Sequence, residues 1–542
     1  MLPGLIYNMT LEEQIGQLFM VGFWGTTPSP EVLDMISRYY VGGVILFSRN
    51  VQDTQQVLEL TSSLQEAAGA AGQRYPLLIA IDQENGVVQR LGRSATQFPG
   101  NMALGAIGSE QMVHDIAYAT GRALRTLGIN MNLAPVVDVN NNPANPVIGV
   151  RSFGEDPQQV ARLGAAAVRG YQDAGIISTL KHFPGHGDTA VDSHLSLPML
   201  PCTLERLEQV ELVPFREGIE AGADCVMSAH IAFPAITRRA DIPATLSPAI
   251  IQGLLREKLG FHGVVISDCL EMQAVADTVG IAQGSVLALQ AGIDLVLVSH
   301  LYPRQQSALE AALQAVQSGG LPYAAVRQAV ERVLQLKSQR LSWENLPSGT
   351  VPSWVGGAEH QQLSERAYAL STTLVRNEDG LVPLRLRPHE RILVLATSKD
   401  MRSQAEDRQH SSAALVESMR RYHDNVESLT LPADFKEEDV APLLATTGQY
   451  DLVIMVTVGA NRDPQQGALM RALLQSGLRV IGLAVGTPYD LLAFPRLRTY
   501  LVTYEPTDMA QVAVAKVLFG QVQPRGHLPV SLPVANHEKL AE

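Results

Sequence analysis

Short apolar runs alternate with amphipathic stretches over roughly the first 335 residues of the 542-residue chain. The apolar runs are GQLFMVGF from Gly16, VGGVILF from Val41, LLIAIDQE from Leu77, MNLAPVVDV from Met131, IISTLKHFPG from Ile176, CVMSAHIAF from Cys225, GVVISDCLEM from Gly263 and DLVLVSH from Asp294. Each is short, rich in Val, Ile and Leu, and apolar on both faces, which predicts parallel strands covered on both sides. Helical patterns lie between them: QQVLELTSSLQEAAG, PQQVARLGAAAVRGYQDAG, LERLEQVELVPFREGIEAG and SPAIIQGLLREKLG, several stopped by Gly. Eight strand-then-helix units in series predict a (β/α)8 barrel over residues 1–340. A doubly wound open sheet is the rival, but no G-x-G-x-x-G follows the first strand.

Residues 341–364, rich in Pro, Gly and Ser, read as a linker. Beyond it, ILVLATS, YDLVIMVTVGA, VIGLAVGTPYDL and TYLVTYEP alternate with helical stretches such as MAQVAVAKVLFG. They predict a smaller α/β/α sandwich domain over 365–542.

Composition narrows the class. Hydrophobic residues make up 46% and charged residues 18%, as in a well-buried globular protein. The formal net charge of −13 and the lack of a basic stripe argue against nucleic acid or anionic membrane as the partner. Three scattered cysteines, Cys202, Cys225 and Cys269, form neither a disulfide framework nor a zinc ribbon. No segment approaches 18 uninterrupted apolar residues, and the N-terminal stretch lacks a secretory pattern, so a cytoplasmic location is expected.

The candidate chemistry is positional. Barrel enzymes carry their sites at the carboxyl ends of the strands. Here the third run ends in Asp82, Gln83 and Glu84, and the fourth reaches Asp138, with Arg151 soon after. The fifth ends in Lys181 and His182, the sixth in His230, the seventh in Asp268 and the eighth in Ser299 and His300. One such residue fits a satisfied core group as well as a site. Many on one rim point to an active-site mouth.

The densest stretch is KHFPGHGDTAVDSH, Lys181 to His194. Residues two apart in an extended segment face one side, so Asp192 is placed to orient the His194 imidazole. On local spacing alone, a loop held by an Asp–His bond is the simpler reading. A metal cluster of His182, His186, Asp188, Asp192 and His194 is the other alternative. It lacks H-E-x-x-H and an H-x-H after the first strand, so no metal and no cofactor are expected.

Together with AIDQENGVVQRL, NLAPVVDVNNNP, RSFGEDP and ISDCLEM, this stretch resembles family 3 glycoside hydrolases, most closely their β-N-acetylglucosaminidase branch. The resemblance spans most of residues 10–340, and the tail GHLPVSLP resembles the end of the family's second domain. It implies a retaining exo-glycosidase that removes terminal β-linked N-acetylglucosamine from muropeptides or chitin-type oligosaccharides, with cell-wall recycling as one setting. Phosphorolysis is a variant. By resemblance, Asp268 is the nucleophile, His194 the acid/base and Asp192 its partner; Asp82, Arg90, Arg151, Lys181 and His182 bind the terminal sugar. His230 is a possible lining residue, with a core histidine equally plausible. One departure is Asn85, where many members have Gly, so the turn after the third strand is expected to differ. The expected partner is a small oligosaccharide.

Overall fold

The computed structural model describes residues 6, 8–192, 196–399, 403–407 and 411–533. Eight parallel strands form the first sheet: β1 (Phe19–Val21), β2 (Gly43–Leu46), β3 (Leu78–Ile81), β4 (Met131–Asn132), β5 (Ile177–Phe183), β6 (Cys225–Ser228), β7 (Val264–Ser267) and β8 (Val296–Val298). Neighbours in the sheet are neighbours in sequence, and β8 pairs with β1 through Phe19–Val296 to Val21–Val298. A bridge between Ile266 and Leu295 joins β7 to the start of β8, which closes the ring. Every residue of these strands is buried, which explains why they read as continuous apolar runs.

Two barrel elements are shortened or split relative to the sequence pattern, each for a backbone reason; beyond the barrel, a helix, Ala358–Ser371, begins inside the expected linker, and the strands Thr373–Asn377 and Val426–Leu431 were not among the runs read from sequence. The fourth strand is cut short because Pro135 has no N–H for the ladder. Pairing resumes at Val136, bridged to Lys181, and Val137 N donates to Lys181 O at 2.8 Å. The helix expected over LERLEQVELVPFREGIEAG is two helices, Leu204–Gln209 and Leu212–Glu220. Pro214 is tolerated only in a first turn, so the second helix restarts just before it.

The second sheet has six strands: β9 (Thr373–Asn377), β10 (Ile392–Thr397), β11 (Val426–Leu431), β12 (Leu452–Thr457), β13 (Arg479–Ala484) and β14 (Thr499–Val502). Their spatial order is β9-β14-β13-β12-β10-β11. Only β9 runs antiparallel, against β14. Helices cover both faces. Leu415 and Met419 of Ala413–Arg420 and Val514 and Leu518 of Asp508–Leu518 seal one face; Leu469, Met470 and Leu473 of Pro464–Gln475 seal the other. The edge strand β11 buries only its ends, Val426 and Leu431.

The domains share a core. Met102, Ala103 and Ala106 of the barrel helix Asn101–Ile107 pack with Tyr489, Tyr504 and Val530. The tail then returns to the barrel, with His527 N donating to Ala106 O and Glu155 N to Pro529 O, each at 3.0 Å. No helix among the described residues is long and apolar enough to cross a membrane.

Candidate active site

The carboxyl ends of the barrel strands surround a cavity of about 410 Å³. Asp82, Arg90, Arg151, Lys181, His182 and Asp268 all line it. Of the other residues singled out in the sequence, Asp192 is buried on the loop after β5 and is not among the lining residues. His194 lies outside the described residues. His230 stands behind the wall: its Nδ1 meets Thr245 Oγ1 at 2.8 Å and its Nε2 meets the Cys269 carbonyl at 3.0 Å. It braces the peptide that follows Asp268.

A buried ion network forms the cavity floor. Lys181, only 2% exposed, places Nζ 2.6 Å from both Asp82 Oδ1 and Glu84 Oε1. Arg151 donates to the two Glu84 oxygens at 2.9 and 2.7 Å, a planar fork that a lysine cannot supply. Burial by itself would raise the Glu84 carboxyl; the opposite charges of Arg151 and Lys181 outweigh it and hold Glu84 well below the usual carboxylate range. Burial likewise disfavours charge on Lys181, and Asp82 and Glu84 overcome it, so the lysine stays protonated. Lys181 and Arg151 thus spend their fixed contacts on Asp82 and Glu84.

Asp138 organises the other wall. Its carboxylate accepts from His182 Nδ1 at 2.7 Å and from the backbone N of His182 and His186 at 3.2 and 2.7 Å. Desolvation opposes its charge, but His182 and His186 hold its carboxyl below the ordinary value. With Nδ1–H committed to Asp138, His182 turns Nε2 toward Arg151 Nη2, 3.5 Å away. Burial, then the neighbouring His182, push His186 down to about 4, so that imidazole is neutral near pH 7. Gly187 lets this loop lie flat on the barrel: a Cβ there would sit 1.8 Å from Val139 O.

Asp268 follows β7 directly. Its N donates to Ser228 O at 3.2 Å, and its Oδ1 accepts from Cys269 N at 2.7 Å, which fixes the carboxylate rotamer toward the cavity. Near it, Arg49 is held by Phe23 O at 2.9 Å, Ser299 O at 2.7 Å and His300 Nδ1 at 3.1 Å. Its guanidinium stacks between Phe47 and the 63% exposed Trp24, 4.2 and 4.6 Å from the ring centres.

Sequence reasoning left four contributors unassigned. Glu84 was legible, since it sits two residues from Asp82 on a hairpin strand (Gln83–Asn85) and so faces the same way. Arg49 carried no motif. Glu406 and Asp407 belong to the second domain and line the cavity from above. Asp407 Oδ2 pairs with Arg90 Nη1 at 2.6 Å and accepts from Gln89 N at 3.0 Å, and Asp407 also bonds Ser48. At the turn after β3, Asn85 adopts φ +69°, in the left-handed region that glycine favours and asparagine tolerates.

Among the described residues, Cys269, Glu271 and His300 are grouped closely enough to hold an ion. Their chemistry does not suit one. Burial pushes the Cys269 thiol up to about 12, Glu271 accepts from His300 N and Leu301 N, and a guanidinium sits on His300. In the rival cluster on the loop after β5, His182 and His186 commit Nδ1 to Asp138 and Thr189.

A parallel barrel with a polar, charge-lined cavity at its carboxyl rim, roofed by a second domain, has its candidate site where barrel enzymes carry theirs. The sequence assigns it: residues 10–336 match the glycosyl hydrolase family 3 N terminal domain and residues 372–541 the family 3 C-terminal domain. The chain belongs to glycosyl hydrolase family 3 and is a glycoside hydrolase. It is 34% identical to β-hexosaminidase A of Pseudoalteromonas piscicida over 94% of this chain and 92% of that protein. A family 3 β-N-acetylglucosaminidase from Paenibacillus sp. str. FPU-7 superposes with a TM-score of 0.91 at 42% identity, covering 97% and 99% of the two chains. A fungal multi-domain β-N-acetylglucosaminidase also superposes at 0.91, with 41% identity, and this chain spans 61% of it.

Proposed function

We propose that this protein is a retaining exo-β-N-acetylglucosaminidase. The observation that carries the reading is the Asp268 carboxylate, held at the end of β7 in a cavity whose floor is the Asp82–Lys181–Glu84–Arg151 network. Asp268 attacks the anomeric carbon while His194 protonates the departing oxygen, giving a covalent glycosyl ester; water then attacks, His194 takes its proton, and the ester bond to Asp268 breaks. Asp192 orients His194 and stabilises the imidazolium. Asp82, Arg90, Lys181 and His182 hold the hydroxyls of the terminal sugar, with Arg151 setting the floor beneath it. The names of the relatives favour N-acetylglucosamine over glucose in that position. The substrates are muropeptides or chitin-type oligosaccharides, met in the cytoplasm.

The test is hydrolysis of p-nitrophenyl β-N-acetylglucosaminide against the β-glucoside, with and without phosphate. Preference for the acetamido sugar with free N-acetylglucosamine as product supports the reading, and a sugar phosphate product replaces hydrolysis by phosphorolysis. His194→Ala should slow poor leaving groups far more than nitrophenol. Equal losses on both remove His194 from the proton-donor role.

A further inference from the structure

A second cavity, of about 360 Å³, lies outside the carboxyl ends of the second sheet. Ala396–Lys399 closes β10, Val458–Gly459 follows β12 and Val485–Thr487 follows β13, and all line it. The chain leaves β10 for β11 on one side and returns to β12 on the other, so β10 and β12 flank a topological switch point. Open parallel sheets bind ligands in that crevice, where strand-end loops diverge and leave room.

Its charges favour an anion. Among the described residues, Lys399 and Arg462 line the crevice, and the acidic side chain in the lining is Glu406, whose carboxyl is pushed up by burial. Arg462 is exposed, while Lys399 is steadied by Asp463 at 2.9 Å. Ser412 and Ala413 also line it, which brings the amino end of the helix Ala413–Arg420 to the crevice. That amino end is already satisfied, since Ala413 N donates to Ser411 Oγ at 3.3 Å and Leu415 N to Gln511 Oε1 at 3.0 Å, so the crevice relies on its side-chain cations.

The crevice also touches the machinery of the first site. Its barrel wall is the loop 143–150, and Val147 and Glu406 line both cavities. The same loop anchors the loop after β5, since Asn145 Nδ2 donates to His186 O and Gly187 O at 2.9 Å each. Arg151 Nη1 donates to Val147 O at 3.3 Å.

We propose that this crevice is a second binding site, for a carboxylate or phosphate group, held by Arg462 and Lys399. The anion is either free in solution or carried on the leaving part of the glycoside. The site itself stands independently of the N-acetylglucosamine reading; only the second arm of the test uses it.

In the first arm, inorganic phosphate is titrated calorimetrically into the full chain and into Arg462→Glu, with thermal melting as the check on folding. A folded Arg462→Glu that binds phosphate at least about tenfold more weakly supports the site, because a lost charge-assisted contact is worth that much. In the second arm, kcat/KM is compared for an N-acetylglucosaminide with a carboxylated leaving part and for its neutral amide. A preference for the carboxylate that disappears in Arg462→Glu places the anion on the substrate; weaker phosphate binding with no such preference places it in solution. Identical phosphate affinity in both proteins, together with an unchanged carboxylate preference, overturns the proposal. If neither substrate turns over, the first arm decides alone.

Discussion

The two cavities of this chain use charge in opposite ways. At the barrel mouth, cations and carboxylates are buried and already paired: Lys181 and Arg151 each meet Glu84 within 2.7 Å. In the second domain, Arg462 is exposed and acts at a distance on Glu406 and Asp490, while Lys399 is paired with Asp463 at 2.9 Å. The first arrangement sets a rigid shape before a ligand arrives, because breaking a buried pair leaves a charge stranded in a poor solvent. The second keeps charge available to an incoming group. One fold therefore offers a preorganised site and an adaptable one, and substitutions should separate them.

The largest effect should come from Asp268. Its removal in Asp268→Ala should lower kcat on the order of 10⁴-fold, as loss of a nucleophile does. Stability should hold within about 1 kcal/mol, since a strand-end carboxylate facing a cavity is not core packing. Steady-state kinetics beside urea unfolding checks both, and a well-folded variant of near-normal rate rules Asp268 out as nucleophile.

Next comes the floor of the network. Glu84→Gln leaves Lys181 and Arg151 with one buried carboxylate fewer, and should cost about 3–5 kcal/mol of barrel stability. The pH dependence has a definite sign. Glu84 and Asp138 hold their protons less tightly folded than unfolded, so their contribution is present above the ordinary carboxylate range and lost as pH falls through it, below about 4.5. Glu84→Gln should therefore flatten the acid limb of the unfolding midpoint plotted against pH. An acid limb parallel to that of the wild type means the network is not what acid titrates.

Asp407→Ala tests the roof. It removes the Arg90 and Ser48 contacts that the second domain makes at the barrel mouth. KM should rise about tenfold, the worth of one charge-assisted contact, with kcat less affected. An unchanged KM confines Asp407 to holding the domains together.

The smallest change per step of the measurement belongs to Lys337, fully buried at the opposite end of the barrel with Nζ 2.8 Å from Gln17 Oε1. Burial pushes it down to about 7 from an ordinary 10.5, so the unfolded chain binds the extra proton between those values. Stability should rise with pH across that window by about 1 kcal/mol per pH unit, and Lys337→Met should remove the slope. Equal slopes in the two proteins refute the assignment.

Periodicity revealed much of the barrel because parallel strands buried on both faces leave unbroken apolar runs, and their polar residues cluster where the runs end. Asp82, Lys181, His182 and Asp268 were legible for that reason. Pro135 and Pro214 show the limit: a missing N–H shortens a strand or restarts a helix without disturbing the apolar pattern around it. Glu84 was legible on the same rim, two residues from Asp82, but not its role as the shared partner of Lys181 and Arg151.

The sequence by itself determined the succession of barrel strands and helices, the face on which polar ends collect, and the family, because each depends on local spacing along the chain. Tertiary structure alone decided that Asp407 reaches Arg90, that Glu84 anchors two cations, and that a crevice with Lys399 and Arg462 backs onto the loop 143–150. Those contacts join residues far apart in the chain, and local patterns carry no record of which distant side chains folding will bring within a hydrogen bond.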